Sequence, residues 1–155
     1  MVAHGWEAQG KDPSPRQVAA ENQKQEVSSS IATFKECKSN VRAKSNFAIL
    51  EPYLPNVDTG DFTVRQLAES KKLSAAEKGT FEAYLDDVSA CNGPYIASIQ
   101  AINPKAADLL RDGNVEGNRI KASAIRGDIS WGEMSSQLEH LQLDFKEKAR
   151  ALKAS

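Results

Sequence analysis

Apolar residues recur at steps of three and four along most of this chain. Val27, Ile31, Phe34, Cys37 and Val41 fall on one face of a helix of 3.6-residue period. Phe81, Tyr84, Leu85, Val88, Cys91, Tyr95, Ile99 and Ile102 hold one phase over a second stretch, and Met134, Leu138, Leu141, Phe145, Ala149 and Leu152 over a third. No run alternates with period two, so no strand is predicted. The pattern predicts an all-α, single-domain bundle of five to seven helices.

Helix boundaries are marked more sharply than helix interiors. Thr63 and Gln66, Ser74 and Glu77, and Ser130 and Glu133 each have the spacing of a capping box, in which the hydroxyl accepts from the N3 amide and the N3 side chain answers the N-cap amide. Phe62 with Leu67, and Ile129 with Met134, add the spacing of a hydrophobic staple. These signals predict a helix from Thr63 to about Lys72, a second from Ser74, and a last from Ser130 to about Leu152. Pro15 opens a first helix running to about Lys44, frayed over Ala20–Ser30, where polar residues and three serines dominate. Phe47–Leu50 reads as a last turn or short separate helix. Glu51–Asp61, with Pro52 and Pro55, reads as a loop.

The second apolar stripe keeps its phase through Asn92-Gly93-Pro94, which predicts one helix kinked at Pro94 rather than two helices. Asn103-Pro104 reads as an N-cap with proline at N1, and Gly113 as the C′ residue that ends a short helix. Glu116–Arg126 is then a separate helix. Residues 1–15 form a flexible, polar N-terminal tail, and 16–155 one helical domain.

The totals narrow the function classes. At 155 residues the chain is long enough for one core without metals or cross-links. Its 20 basic and 21 acidic residues leave a net charge of -1 with no long block of one sign, so neither nucleic-acid binding nor a polybasic membrane patch is indicated. No apolar run approaches the roughly 18 residues of a membrane span. The first 15 residues lack the layout of a signal peptide, which fits a cytoplasmic protein or a processed one.

Candidate chemistry is sparse. His4 lies in the tail and His140 falls opposite the Met134–Leu152 stripe, where it is solvated. No nucleophile elbow, zinc-protease, Walker or dinucleotide motif occurs, so no catalytic residue and no cofactor are assigned. The oxygen-rich Asn56–Asp61 segment departs from the EF-hand spacing and reads as a turn. With Met1 removed, Val2-Ala3-His4 would offer square-planar nitrogens to Cu(II) or Ni(II), but Met1 is present and no metal is assigned.

Cys37 and Cys91 are far apart in sequence, without CxxC or adjacent His. Both sit on apolar faces, as buried thiols acting as small hydrophobes would, but an even count without metal spacing favours a Cys37–Cys91 disulfide. Tyr53, Tyr95 and Trp131 stand near prolines, a glycine or a helix start, where a ring can line a groove or plug a loop against the core. They are the candidate ligand-binding residues, around a concavity beside Pro94.

Gly127-Asp128-Ile129-Ser130-Trp131-Gly132-Glu133 resembles a G-[DE]-I-[ST]-W-G-E element of small helical proteins exported by proteobacteria, many of them lipoproteins of unknown function. Phe62-Thr63-Val64-Arg65-Gln66 and Leu73-Ser74-Ala75-Ala76-Glu77 are similar to the Leu-Thr-x-x-Gln repeats of periplasmic stress chaperones and metal-resistance sensors. These resemblances imply a periplasmic or secreted location and bring no catalytic assignment with them. The expectation is a non-enzymatic binding or interaction protein, its partner an unknown protein or small ligand. The alternative is a small carboxylate-dependent hydrolase of cell-envelope polymers.

Overall fold

Two 28-residue helices, α1 (Pro15–Arg42) and α3 (Ala75–Ile102), lie antiparallel and form the frame of the molecule. The pairings Phe34–Tyr95, Cys37–Cys91 and Lys44–Asp87 set their register. The computed structural model describes residues 12–154. Its order is α1, a 3₁₀ segment Ser45–Tyr53, α2 (Val64–Leu67), α3, α4 (Pro104–Ile125) and α5 (Trp131–Ala154), with no strand among the described residues. The all-α bundle of five to seven helices is therefore the fold. Residues 1–11 of the expected tail, Val2-Ala3-His4 among them, lie outside the described residues, while Ser14 and Pro15 belong to the start of α1.

The apolar stripes face inward as their periods demand. Val41, Phe81, Cys91, Ile99 and Met134 are buried, joined from the 3₁₀ segment and its exit by Phe47, Leu50 and Leu54. Cys37 and Cys91 are joined in a disulfide that ties α1 to α3. His140 is exposed on the opposite face of α5. The helix through Asn92-Gly93-Pro94 is continuous.

All three expected capping boxes form, and Ser14 and Gln17 make a fourth that the sequence reading passed over. That box anchors the start of α1, and the helix runs intact through Ser28–Ser30 rather than fraying. Gln23 reaches from it to the Ile102 carbonyl at the end of α3.

Four boundaries differ from expectation, each for a local reason. The helix expected over Thr63–Lys72 is a single turn ending at Leu67. The chain beyond it is drawn out to meet α5, whose first amides need acceptors: Trp131 N–H bonds the Lys71 carbonyl and Gly132 N–H the Glu69 carbonyl, both at 2.9 Å. Pro52 lies inside the 3₁₀ segment, not in a loop; its ring fixes a φ close to the 3₁₀ value, and a short segment tolerates one missing donor. Gly113 does not end a helix, and Glu116–Arg126 is not separate, because α4 runs unbroken from Pro104 to Ile125. Gly113 and Gly117, one turn apart, instead face Phe145 and Leu141 of α5.

The glycine that does end α4 is Gly127, at φ +82°. Its amide bonds the Ala124 carbonyl and that of Asp128 the Ser123 carbonyl, the paired bonds of a Schellman motif. The Asn56–Asp61 segment closes on itself as a turn: Asn56 Oδ1 accepts from the Asp58 and Thr59 amides, and Gly60 takes φ +75°.

Candidate functional site

Two environments hold the residues that could carry function: a closed corner around Trp131 and an open cleft through the middle of the bundle.

The corner contains most of the Gly127–Glu133 element. Ser130 and Glu133 cap α5. Trp131 is 1 % exposed, stacked on Tyr53 with centroids 4.2 Å apart and tilted against Phe81 at 5.4 Å. Its indole N–H donates to Glu77 Oε1 at 3.4 Å. Gly132 meets backbone so closely that a Cβ there would lie 2.4 Å from the Glu69 carbonyl oxygen and 2.6 Å from that of Leu67. Only glycine lets α5 begin here. The element is thus explained by its packing: Gly127 ends one helix, Ser130 and Glu133 cap the next, Trp131 fills the core and Gly132 permits the approach.

Glu77 is the one carboxylate enclosed in this corner and is 8 % exposed. Burial works to raise its pKa, but bonds with Ser74, the Trp131 indole and the Lys71 charge outweigh it and hold the carboxyl below its ordinary value. Oε1 also accepts from the Ser74 amide at 2.8 Å, and Oε2 faces Lys71 Nζ at 3.7 Å. A carboxylate so committed holds a helix start and a tryptophan in place; a general acid requires the opposite shift.

The cleft is different. It has a volume of about 340 Å³ and takes wall residues from α1, the 53–62 segment, α3, α4 and α5. Tyr53, Phe62, Phe81, Tyr84, Leu85, Val88, Met134, Leu138 and Leu141 make it predominantly apolar. Its polar members are Lys38, Asn92, Asn114, Lys121 and Gln142. Gly113 and Gly117 leave the α4 wall without side chains, and a Cβ at 117 would lie 4.0 Å from Lys121 Nζ. The Lys121 side chain therefore lies back along α4 over Gly117, the direction in which helical side chains lean.

Lys38 and Lys121 are both half-buried, and among the described residues no carboxylate lies within ion-pair distance of either. Burial pushes both pKa values down; Lys35 and Arg42 add to the effect at Lys38, and Lys38 adds to it at Lys121. The Lys38 ammonium stands 4.4 Å from the Phe34 ring centroid, a cation–π contact.

No family profile, curated protein or solved structure matches the chain. The site is therefore read from its own chemistry.

The expected aromatic residues divide between places. Tyr53 and Trp131 meet face to face, but Tyr95 stacks on Phe34 with centroids 4.3 Å apart. Tyr53 lines the central cleft. Tyr95 lines a second one of about 330 Å³ beside Pro94, between α1 and α3, where Ser29, Ser30 and the disulfide also lie. Trp131 lines neither, being sealed in the core. A concavity beside Pro94 is present, but the three rings do not form its walls together. Sequence reasoning passed over Lys38 and Lys121 because a lysine in a helix normally reads as solvated surface. The available signal was positional: Lys38 follows Cys37 on the inward side of α1, and Lys121 is one turn from Gly117.

No described helix is long and apolar enough to cross a membrane. Among the described residues, no three His, Cys, Asp or Glu side chains come together as a metal site.

Proposed function

We propose that the protein is a non-enzymatic binding protein whose central cleft takes a small, largely apolar ligand. The observation carrying this reading is the cleft itself: five parts of the chain converge on one apolar space, and two glycines keep a wall of it empty. Its volume falls in the range of small-molecule sites, which are mostly apolar with a few placed polar groups. The commitments of Glu77 favour binding over a carboxylate-dependent hydrolase, since its oxygens serve the fold.

A periplasmic or secreted location belongs to the same reading. It is supported by the Cys37–Cys91 disulfide, a bond that persists in oxidising compartments, and by the resemblance of the Gly127–Glu133 element to exported helical proteins. Mass analysis without reductant, on protein made in an oxidising compartment, is expected to show the bridge intact. Two free thiols would remove this support.

Saturable uptake of the neutral fluorophore N-phenyl-1-naphthylamine tests the cleft. The wild-type protein is expected to take up one equivalent. Gly113→Leu, which adds a side chain to the glycine wall of the cleft, is expected to abolish uptake while leaving the helical circular dichroism unchanged. No saturable uptake, or uptake indifferent to Gly113→Leu, would contradict the reading.

A further inference from the structure

We infer that the ligand of the central cleft is an anionic amphiphile, with an apolar body among the aromatic and aliphatic walls and one anionic head held by Lys38 and Lys121. This rests on the cleft being a binding site and goes further in naming the class of ligand.

The argument is one of missing partners. A charged group taken out of water is costly unless an opposite charge answers it, and half-buried lysines ordinarily find one. Among the described residues there is none. Three acids near cleft residues in the chain are engaged elsewhere: Asp87 pairs with Lys44 at 2.8 Å, Glu116 with Arg119 at 2.7 Å, and Asp144 with Lys148 at 2.9 Å. Asp86 lines an adjoining surface groove shared with Lys121 but is exposed and outside ion-pair distance. Lys35 and Arg42 add positive potential at Lys38.

Hydrogen-bond donors accompany the two ammonium groups. Asn92 and Asn114 face the same cleft, and neither side chain makes a hydrogen bond among the described residues. Two cations and two free amides at a predominantly apolar site recognise an oxyanion attached to a hydrophobic body. A neutral apolar ligand would leave both charges unanswered, and a cation would be repelled.

Decanoate, decanol and decyltrimethylammonium share one apolar tail and differ in the head, so calorimetric titration with the three isolates the head. Decanoate is expected to bind one to one, and about 10-fold more tightly than decanol, with its affinity falling as salt rises. Lys121→Met and Lys38→Met should each weaken decanoate about 10-fold and leave decanol nearly unchanged. If either variant fails to fold, the salt dependence of decanoate against decanol on the wild-type protein decides the question alone.

Equal binding of decanoate and decanol, with no salt dependence for either, would overturn the anionic head and leave the apolar cleft standing. Preference for decyltrimethylammonium would likewise overturn it. Failure of all three to bind the folded protein would overturn the cleft as a binding site and this inference with it.

Discussion

The corner around Trp131 and the cleft around Lys121 are adjacent parts of one bundle built on opposite terms. In the corner, polar groups are matched within the chain: the Trp131 indole and the Ser74 amide meet Glu77, and Ser130 and Glu133 satisfy each other. The first amides of α5 end on Glu69 and Lys71 carbonyls. In the cleft, Lys38 and Lys121 lack a counter-charge and Asn92 and Asn114 lack a partner among the described residues. The segment that resembles a motif is thus scaffolding, and the unspent chemistry lies in residues that belong to no motif. A short sequence pattern records a difficult piece of packing as readily as a reaction.

Six substitutions sharpen this contrast. Trp131→Ala should have the largest effect, about 4 kcal/mol of lost stability, because it empties a fully enclosed site and strands Glu77. Urea unfolding midpoints measure it. A loss below about 1 kcal/mol would show that the corner is not a closed core. Gly132→Ala follows, at about 3 kcal/mol, although it adds a single methyl: that methyl would overlap backbone atoms, which cannot swing aside as a side-chain end can. If Gly132→Ala proved neutral, the docking of α5 on the 67–69 backbone would be wrong.

Ser130→Ala should cost about 1 kcal/mol through its lost N-cap, and Met134→Ala more, since it removes core volume. His140→Ala, on the exposed face, should change little. Comparing the three by thermal melting checks the facing of α5, and a most damaging His140→Ala would reverse it.

The cleft should respond with the opposite sign. Lys121→Met removes an unanswered charge and is expected to stabilise the free protein by about 1 kcal/mol at neutral pH. Its folded pKa is lowered, so between that value and its unfolded value the unfolded state binds more protons and stability rises with pH. The advantage of the variant should therefore shrink as pH climbs toward 10.5, the ordinary lysine value. Melting curves across alkaline pH show this. A variant less stable than the wild type at neutral pH would mean that Lys121 supports the fold instead of awaiting a ligand.

How much of this was legible depended on whether the deciding force was local. Capping boxes and the inward faces of α1, α3 and α5 follow from spacing along one helix, and the Cys37–Cys91 pair from an even cysteine count on two apolar faces; all are present. Tertiary demand overrode local pattern elsewhere. Residues 68–73 leave the helix because α5 requires their carbonyls, and Gly113 is helical because α4 packs close to Phe145. The same reason hid the cleft. Nothing in the sequence around Lys38 or Lys121 says that five chain segments meet there, and Trp131 looked like a groove wall because its burial depends on Tyr53 and Phe81, distant in sequence.

The most direct test of the account is a ¹⁵N-resolved NMR titration with decanoate, which reports on corner and cleft in one experiment. The amides of Asn92, Gly113, Asn114, Gly117 and Lys121 are expected to shift together and saturate at one equivalent, while those of Gly127, Trp131 and Gly132 stay in place. Shifts centred on the Trp131 corner, or none in the cleft at saturating decanoate, would contradict it.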